Sequence, residues 1–226
     1  MVTKTRAALI VEYGKPLAVD EIILEDPDES EVLVKLIASG ICHSQLHTIH
    51  SPKAKRPSLL GHEGTGIVVK TGKNVSHIKE GDHCIITWVP RDISIDSPML
   101  EQTRYEFRGE THHAGVYTWA ESALINEQLI VPLTKEVPSV ATAIVGCATV
   151  TGVGAVMSSA RVRSGNSVAI IGVGGVGINI IAGAKIADAS PIIAVDQTEE
   201  KQAYAKQIGA THTINAAKVD PVEAIH

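Results

Sequence analysis

The sequence predicts an α/β protein in two parts, and three observations carry that prediction. Short β-branched runs bounded by Gly, Pro and Asp fill the first half. The texture turns Ala- and Gly-rich near Gly146. From Val168 an apolar run, a glycine cluster and a small-residue run follow one another. The first pattern reads as a mostly-β unit over residues 1–146. The last reads as the opening of a doubly wound parallel sheet over residues 147–226.

The elements follow in chain order. "RAALIVEY", "LAVDEIIL", "EVLVKLIASG", "GTGIVVKTG" and "HCIITWV" are strand runs whose spacing suits a barrel-like or sandwich-like unit, with Cys84 a core strand residue. Residues 90–115, with "SPM" and "RGETHH", show no period and are expected to be loop, with His112 and His113 solvated. "GVYTWAESALI" and "QLIVPL" return to strand. "SVATAIVGCATVTGVGAVMSSA" suits closely packed helix with a break near Gly146. "SVAIIGVGGVGINIIAGAKIADA" reads as strand, turn and helix, and "PIIAVD" as a second buried strand. "TEEKQAYAKQIGA" is a helix with Thr198 as N-cap and Gly209 as its stop. "THTIN" is a third strand, and Asp220 and Pro221 open a last helix in "DPVEAIH".

Bulk properties narrow the function classes. Apolar residues make up 44% of the 226, charged residues 20% and aromatics 3%, so the core is aliphatic. A formal net charge of -5 without a basic block argues against nucleic acid and anionic membranes as partners. No run approaches the ~20 apolar residues of a membrane span, and the start lacks a secretory signal. Three distant cysteines do not make a disulfide framework, and they suit a reducing cytoplasm. The "NVS" at Asn74 is read as a surface turn.

Gly172, Gly174 and Gly177 satisfy G-x-G-x-x-G between strand and helix, and Asp196 ends the next strand nineteen residues on. That context is what dinucleotide binding requires. Gly172 allows the tight turn, Gly174 lets the backbone approach a pyrophosphate, and Gly177 lets helix and strand pack closely. Gly175 and Val176 open the helix, whose free N–H groups face the phosphates. Asp196 would accept from the ribose hydroxyls and repel a 2′-phosphate, so NAD is expected over NADP. Lys201 is a further cofactor-binding candidate. The competing reading is a glycine turn that binds nothing.

"GICHSQLHTIH" packs Cys42, His43, His47 and His50 into eleven residues of a chain with 10 His and 3 Cys. It reads as a turn entering a short helix. A metal site, a proton relay and chance all remain open on residue type alone. Catalytic zinc takes three protein ligands and keeps one position open. His62 with Glu63 in "GHEG", and Cys147 in "VGCATVTG", are the distant candidates.

In order, "GICHS", "GHEGTGIV", "GCATVTG" and "GVGGVG" with Asp196 resemble the zinc-dependent medium-chain alcohol dehydrogenases. The resemblance runs from "EVLVKLIASGICHS" to "IGATHTIN". It implies a GroES-like catalytic domain followed by a Rossmann domain, and hydride transfer between an alcohol, aldehyde or ketone and NAD. It implies a catalytic zinc on Cys42, His62 and Cys147, with Glu63 beside it. It implies that Ser44 takes the alcohol proton, that His47 completes a relay through the cofactor ribose, and that His43 lies near the pyrophosphate. His50 receives no role. A small alcohol or aldehyde is the expected partner, and a homo-oligomer is compatible with the family.

Three departures qualify the resemblance. No four-cysteine lobe is present, so one zinc and no structural zinc is expected. Gln45 stands where the family usually has Asp, next to the zinc-bound histidine. Gln still accepts a hydrogen bond but brings no charge. The chain stops at His226, where family members run on, so the Rossmann part is expected to be partial and the chain a poor catalyst alone. The rival readings are an inactive fragment or paralogue that keeps zinc and weak NAD binding, a zinc-free reductase, and a zinc-binding partner module.

Overall fold

A computed structural model describes residues 2–92, 100–137 and 139–226. They form two compact units, Met1–Cys147 and Ala148–His226. The first unit carries β1 (Thr3–Ile10), β2 (Ala18–Leu24), β3 (Glu31–Ser39), helix α1 (His43–His50), β4 (Ser58–Leu59), β5 (Gly64–Thr71) and β6 (His83–Ile86). β7 (Thr103–Phe107), β8 (Glu110–Ala114), β9 (Ser122–Asn126) and β10 (Ile130–Leu133) follow. Among the described residues they make two five-stranded sheets, ordered β4-β1-β2-β7-β8 and β10-β6-β5-β3-β9. Neighbours within each sheet pair antiparallel.

Period-2 burial explains the strands. In β7, Thr103, Tyr105 and Phe107 point inward while Arg104 and Glu106 stay exposed. The core is aliphatic, with Leu9, Ile22, Leu24, Val34 and Ile86 inaccessible to solvent. Tyr117 is fully buried, and its hydroxyl accepts the Leu124 N–H at 2.9 Å. Burial pushes that hydroxyl's pKa well above the ordinary tyrosine value.

The stretch expected to be loop is corrected here. Residues 93–99 of it lie outside the described residues, but β7 and β8 form a hairpin. Its turn is Arg108-Gly109, both at positive φ (54° and 81°), in place of the usual Asn-Gly. His112 is not solvated. Its side chain is 15% exposed, and its ring lies 5.5 Å from that of Tyr105.

The predicted break near Gly146 takes a different form. Residues 141–159 stay helical, but Val145–Thr149 and Ala155–Ser159 widen into π turns around α2 (Val150–Gly154). A Cβ on Gly146 would lie 2.1 Å from the Ile86 carbonyl oxygen. This run is also long and apolar enough to cross a bilayer by length and composition, which corrects the expectation that nothing approaches a span. Its small residues have a packing reason, since a Cβ on Gly152 would meet Asn179 at 2.6 Å.

The second unit holds β11 (Val168–Ile171), α3 (Gly175–Ile186), β12 (Ile192–Asp196), α4 (Glu199–Ile208), β13 (His212–Asn215) and α5 (Pro221–Ile225). The three strands are parallel, in the order β11-β12-β13. Ile170, Ile181, Ala184, Ile192 and Ala205 form its core. Asp220 caps α5 by accepting the Val222 and Glu223 N–H groups at 2.8 and 3.2 Å. Gly209, at φ 145°, ends α4. Thr198 sits at the start of α4, but its hydroxyl donates to Asp196 instead of capping the helix.

Candidate metal centre and dinucleotide turn

Three separate stretches of the first unit meet at one point. Cys42 is the extended residue before α1, His62 lies between β4 and β5, and Cys147 sits in the π turn Val145–Thr149. Their ligand atoms all lie within 4.8 Å of one another. Cys147 Sγ is 3.9 Å from Cys42 Sγ and 3.2 Å from His62 Nε2. A tetrahedral zinc with Zn–S of ~2.3 Å and Zn–N of ~2.0–2.1 Å sets these separations at roughly 3.8 and 3.6 Å. Two thiols and one imidazole at this spacing fit that ion.

Without a cation the surroundings favour the neutral forms of Cys147 and His62. Burial, then Cys42 and Glu63, push the Cys147 thiol up to about 11. Burial lowers the His62 pKa. A bound divalent ion reverses the thiol's preference by stabilising the thiolate.

Backbone geometry holds the cluster. Gly61 has φ 91°, and a Cβ there would lie 2.3 Å from Thr118 Oγ1. Gly40 donates its N–H to the Glu63 carbonyl at 3.0 Å, and a Cβ on Gly40 would meet Glu63 Cδ at 2.5 Å. Glu63 itself is 2% exposed. Thr118 Oγ1 also donates to the Glu63 carbonyl at 3.1 Å, and Trp119 Nε1 donates to the Gly40 carbonyl at 3.0 Å.

The cluster lies on the wall of a cleft of about 500 Å³. Ser44, Thr48, Leu59, Leu60, Trp88 and Val116 are among the other lining residues. Of these, the sequence reading singled out only Ser44. No motif marks the others, which come from four places along the chain. His43 and His47 lie on the exposed side of α1 with ring centroids 5.3 Å apart, and His50 is exposed at its end.

The second unit shapes the glycine turn. Gly172 has φ 91°, a conformation that favours glycine. A Cβ on Gly177 would lie 1.9 Å from the Gly172 carbonyl oxygen. A Cβ on Gly174 would meet nothing within 4 Å, so space lies open there. Gly175 and Val176 begin α3.

Asp196 is tied to the turn in a way the sequence did not announce. Its Oδ2 accepts the Val173 N–H at 2.9 Å, and its Oδ1 accepts the Thr198 N–H and hydroxyl, each at 3.1 Å. Lys201 Nζ stands 3.7 Å away. Burial works against the charge, but these donors and Lys201 outweigh it, and the carboxyl sits below its ordinary pKa.

The chain is similar to known proteins. Residues 28–138 match the alcohol dehydrogenase GroES-like domain, and residues 175–226 match the zinc-binding dehydrogenase family. The S-(hydroxymethyl)glutathione dehydrogenase of Synechocystis sp. is 34% identical over 98% of this chain and 67% of its own length. The class-3 alcohol dehydrogenase of Cereibacter sphaeroides is 33% identical over 96% of this chain and 64% of its own. An alcohol dehydrogenase zinc-binding domain protein from Burkholderia ambifaria superposes with a TM-score of 0.92 at 32% identity, over 100% of this chain and 67% of that one. Benzyl alcohol dehydrogenase from Acinetobacter calcoaceticus gives 0.85 at 30% identity, over 99% and 67%. This chain spans about two thirds of the length of such relatives. With its two domain matches, its Cys-His-Cys cluster and these relatives, it belongs to the zinc-dependent medium-chain alcohol dehydrogenase family.

Proposed function

We propose that this chain serves hydride transfer between a small alcohol or aldehyde and NAD, with Cys42, His62 and Cys147 holding one zinc. The observation that carries the reading is the convergence of those three donors on the wall of an apolar cleft. Zinc at such a site supplies Lewis acidity, which lowers the pKa of an alcohol hydroxyl. Ser44, on the cleft wall, accepts the hydroxyl proton. Three residues further along α1, on the same face, His47 reaches solvent and passes the proton out. Buried Glu63 contributes negative charge beside the cluster.

Leu59, Leu60, Trp88 and Val116 favour an apolar substituent on the alcohol. Among the described residues that line the cleft there is no Lys or Arg to meet a carboxylated substrate. A benzyl-type alcohol therefore fits better than a glutathione adduct. For the cofactor, Gly172, Gly174 and Gly177 make the pyrophosphate turn, with Gly175 and Val176 at the helix start. A zinc-binding dehydrogenase from Sinorhizobium meliloti at 25% identity is bound to NADP. In this chain the Asp196 carboxylate favours NAD by repelling a 2′-phosphate, and Lys201 orders that carboxylate.

Metal analysis of the purified chain should give about one zinc, lost in Cys147→Ser. Calorimetric titration should show NAD binding more tightly than NADP, and NAD reduction should be faster with benzyl alcohol than with S-(hydroxymethyl)glutathione. A chain that takes up no zinc and binds both dinucleotides equally would refute the reading.

A further inference from the structure

Gln45 closes a ring of hydrogen bonds around the three candidate ligands. The Cys42 N–H donates to Gln45 Oε1 at 2.8 Å. Gln45 Nε2 stands 2.8 Å from His62 Nδ1. His62 Nε2 stands 3.2 Å from Cys147 Sγ, which reaches back to Cys42 Sγ at 3.9 Å. The ring starts and ends at Cys42, and Gln45 is 4% exposed.

The direction of the ring is fixed by one group. A backbone N–H can only donate, so the Gln45 oxygen must face Cys42 and the amide NH2 must face His62. A donor facing Nδ1 requires Nδ1 to carry the lone pair and Nε2 to carry the proton. In that tautomer Nε2–H points at the Cys147 sulfur. A metal ligand needs the reverse, with the Nε2 lone pair on the ion and Nδ1–H on an acceptor. Turning the Gln45 amide over would offer that acceptor, but it would then set NH2 against the Cys42 N–H. One amide cannot accept from both sides at these positions, whereas a carboxylate can.

We propose that Gln45 is a positioning residue that holds His62 in the tautomer unable to bind metal through Nε2. Metal uptake therefore requires the Gln45 amide to leave His62 or turn over, which releases its hold on the N-terminus of α1. That couples loading of the centre to the helix that carries Ser44 and His47. The inference rests on the metal reading proposed above, and it reverses the sequence-based view of Gln45 as an acceptor for His62.

Two variants give the test its sign. Gln45→Met keeps the bulk and removes the donor that opposes the metal-binding tautomer. Gln45→Glu offers acceptors to both Cys42 and His62. Zinc affinity of the full chain, measured by competition with a chromogenic chelator at one fixed pH, should be unchanged or higher in Gln45→Met. In Gln45→Glu it should be at least ~10-fold higher, within the range for residues that orient metal ligands. Long-range 1H–15N spectra of the zinc-free parent should place the His62 proton on Nε2, and those of Gln45→Glu on Nδ1. A parent with Nδ1–H before zinc is added, or a ~10-fold loss of affinity in a folded Gln45→Met, would overturn the proposal. Absence of zinc binding in all three proteins would refute the metal reading itself, while the tautomer in the zinc-free parent still decides the role of Gln45.

Discussion

The two units build their sites from opposite materials. The first gathers side chains from residues 42, 62 and 147, so its site exists only once distant strands have paired. The second shapes backbone within one continuous strand, turn and helix, and adds Asp196 from the neighbouring strand. A side-chain site fails when a donor is removed. A backbone site has no donor to remove and fails when a Cβ is added.

The largest effect is expected at Gly177. Its Cβ would lie 1.9 Å from the Gly172 carbonyl oxygen, so backbone must move. Gly177→Val should cost about 3 kcal/mol or more, the upper range for overpacking, and abolish NAD binding. Gly174→Ala, with open space around the new methyl, should leave stability within ~0.5 kcal/mol and still weaken NAD binding. Thermal unfolding by circular dichroism and NAD titration of both variants would show it. Equal destabilisation by the two would erase the distinction between a packing glycine and an approach glycine.

Removal of a donor comes next. His62→Ala and Cys147→Ser should each lower zinc affinity by ~100-fold or more, beyond the range for residues that only orient ligands. The secondary structure should hold, because the core of the first unit is built from Leu9, Ile22, Val34 and their neighbours. Zinc content after dialysis, with far-ultraviolet circular dichroism as control, decides this. Loss of fold in the zinc-free parent would make the metal structural and not only functional.

How much of this was readable from sequence follows the same division. The glycine turn was legible because its determinants are local, with strand, glycines and helix in sequence order. The ligand set became legible only through the order of four separated motifs, since no spacing rule brings residue 42 to residue 147. The β7–β8 hairpin was hidden because its inward residues alternate with charges and its turn is Arg108-Gly109. The cleft was hidden because Thr48, Leu59, Trp88 and Val116 share no periodicity. The orientation of Gln45 was hidden because the Cys42 backbone sets it.

Asp196 should show a smaller, two-part effect. Its carboxylate both faces the ribose in the proposed function and holds the Val173 N–H. Asp196→Asn removes the charge that repels a 2′-phosphate but keeps an oxygen for Val173. The preference for NAD over NADP should narrow by roughly 10-fold, in line with the ~1.5–3 kcal/mol of a hydrogen bond to a charged group. Asp196→Ala should also loosen the turn and weaken both dinucleotides. If Asp196→Asn leaves the ratio of the two affinities unchanged, the carboxylate is a turn brace and not a selector.

The smallest effect is expected at His47, where side-chain chemistry meets solvent. The residue is exposed on α1, and its ring meets that of His43 edge to face, an arrangement that holds no core in place. His47→Gln should therefore leave the unfolding midpoint and zinc affinity unchanged. A positioned acid–base group inside a closed site is worth ~100-fold or more. At the wet end of a relay, water can take over the proton, and the expected loss in alcohol oxidation is smaller, about 3-fold. The loss should appear in kcat, not in KM, because His47 does not line the cleft. Added imidazole should restore the rate in His47→Gln and not in Ser44→Ala, because in the proposed function Ser44 takes the hydroxyl proton inside the cleft. Rescue of both variants, or of neither, would separate His47 from the proton path and leave Ser44 to discharge directly to water.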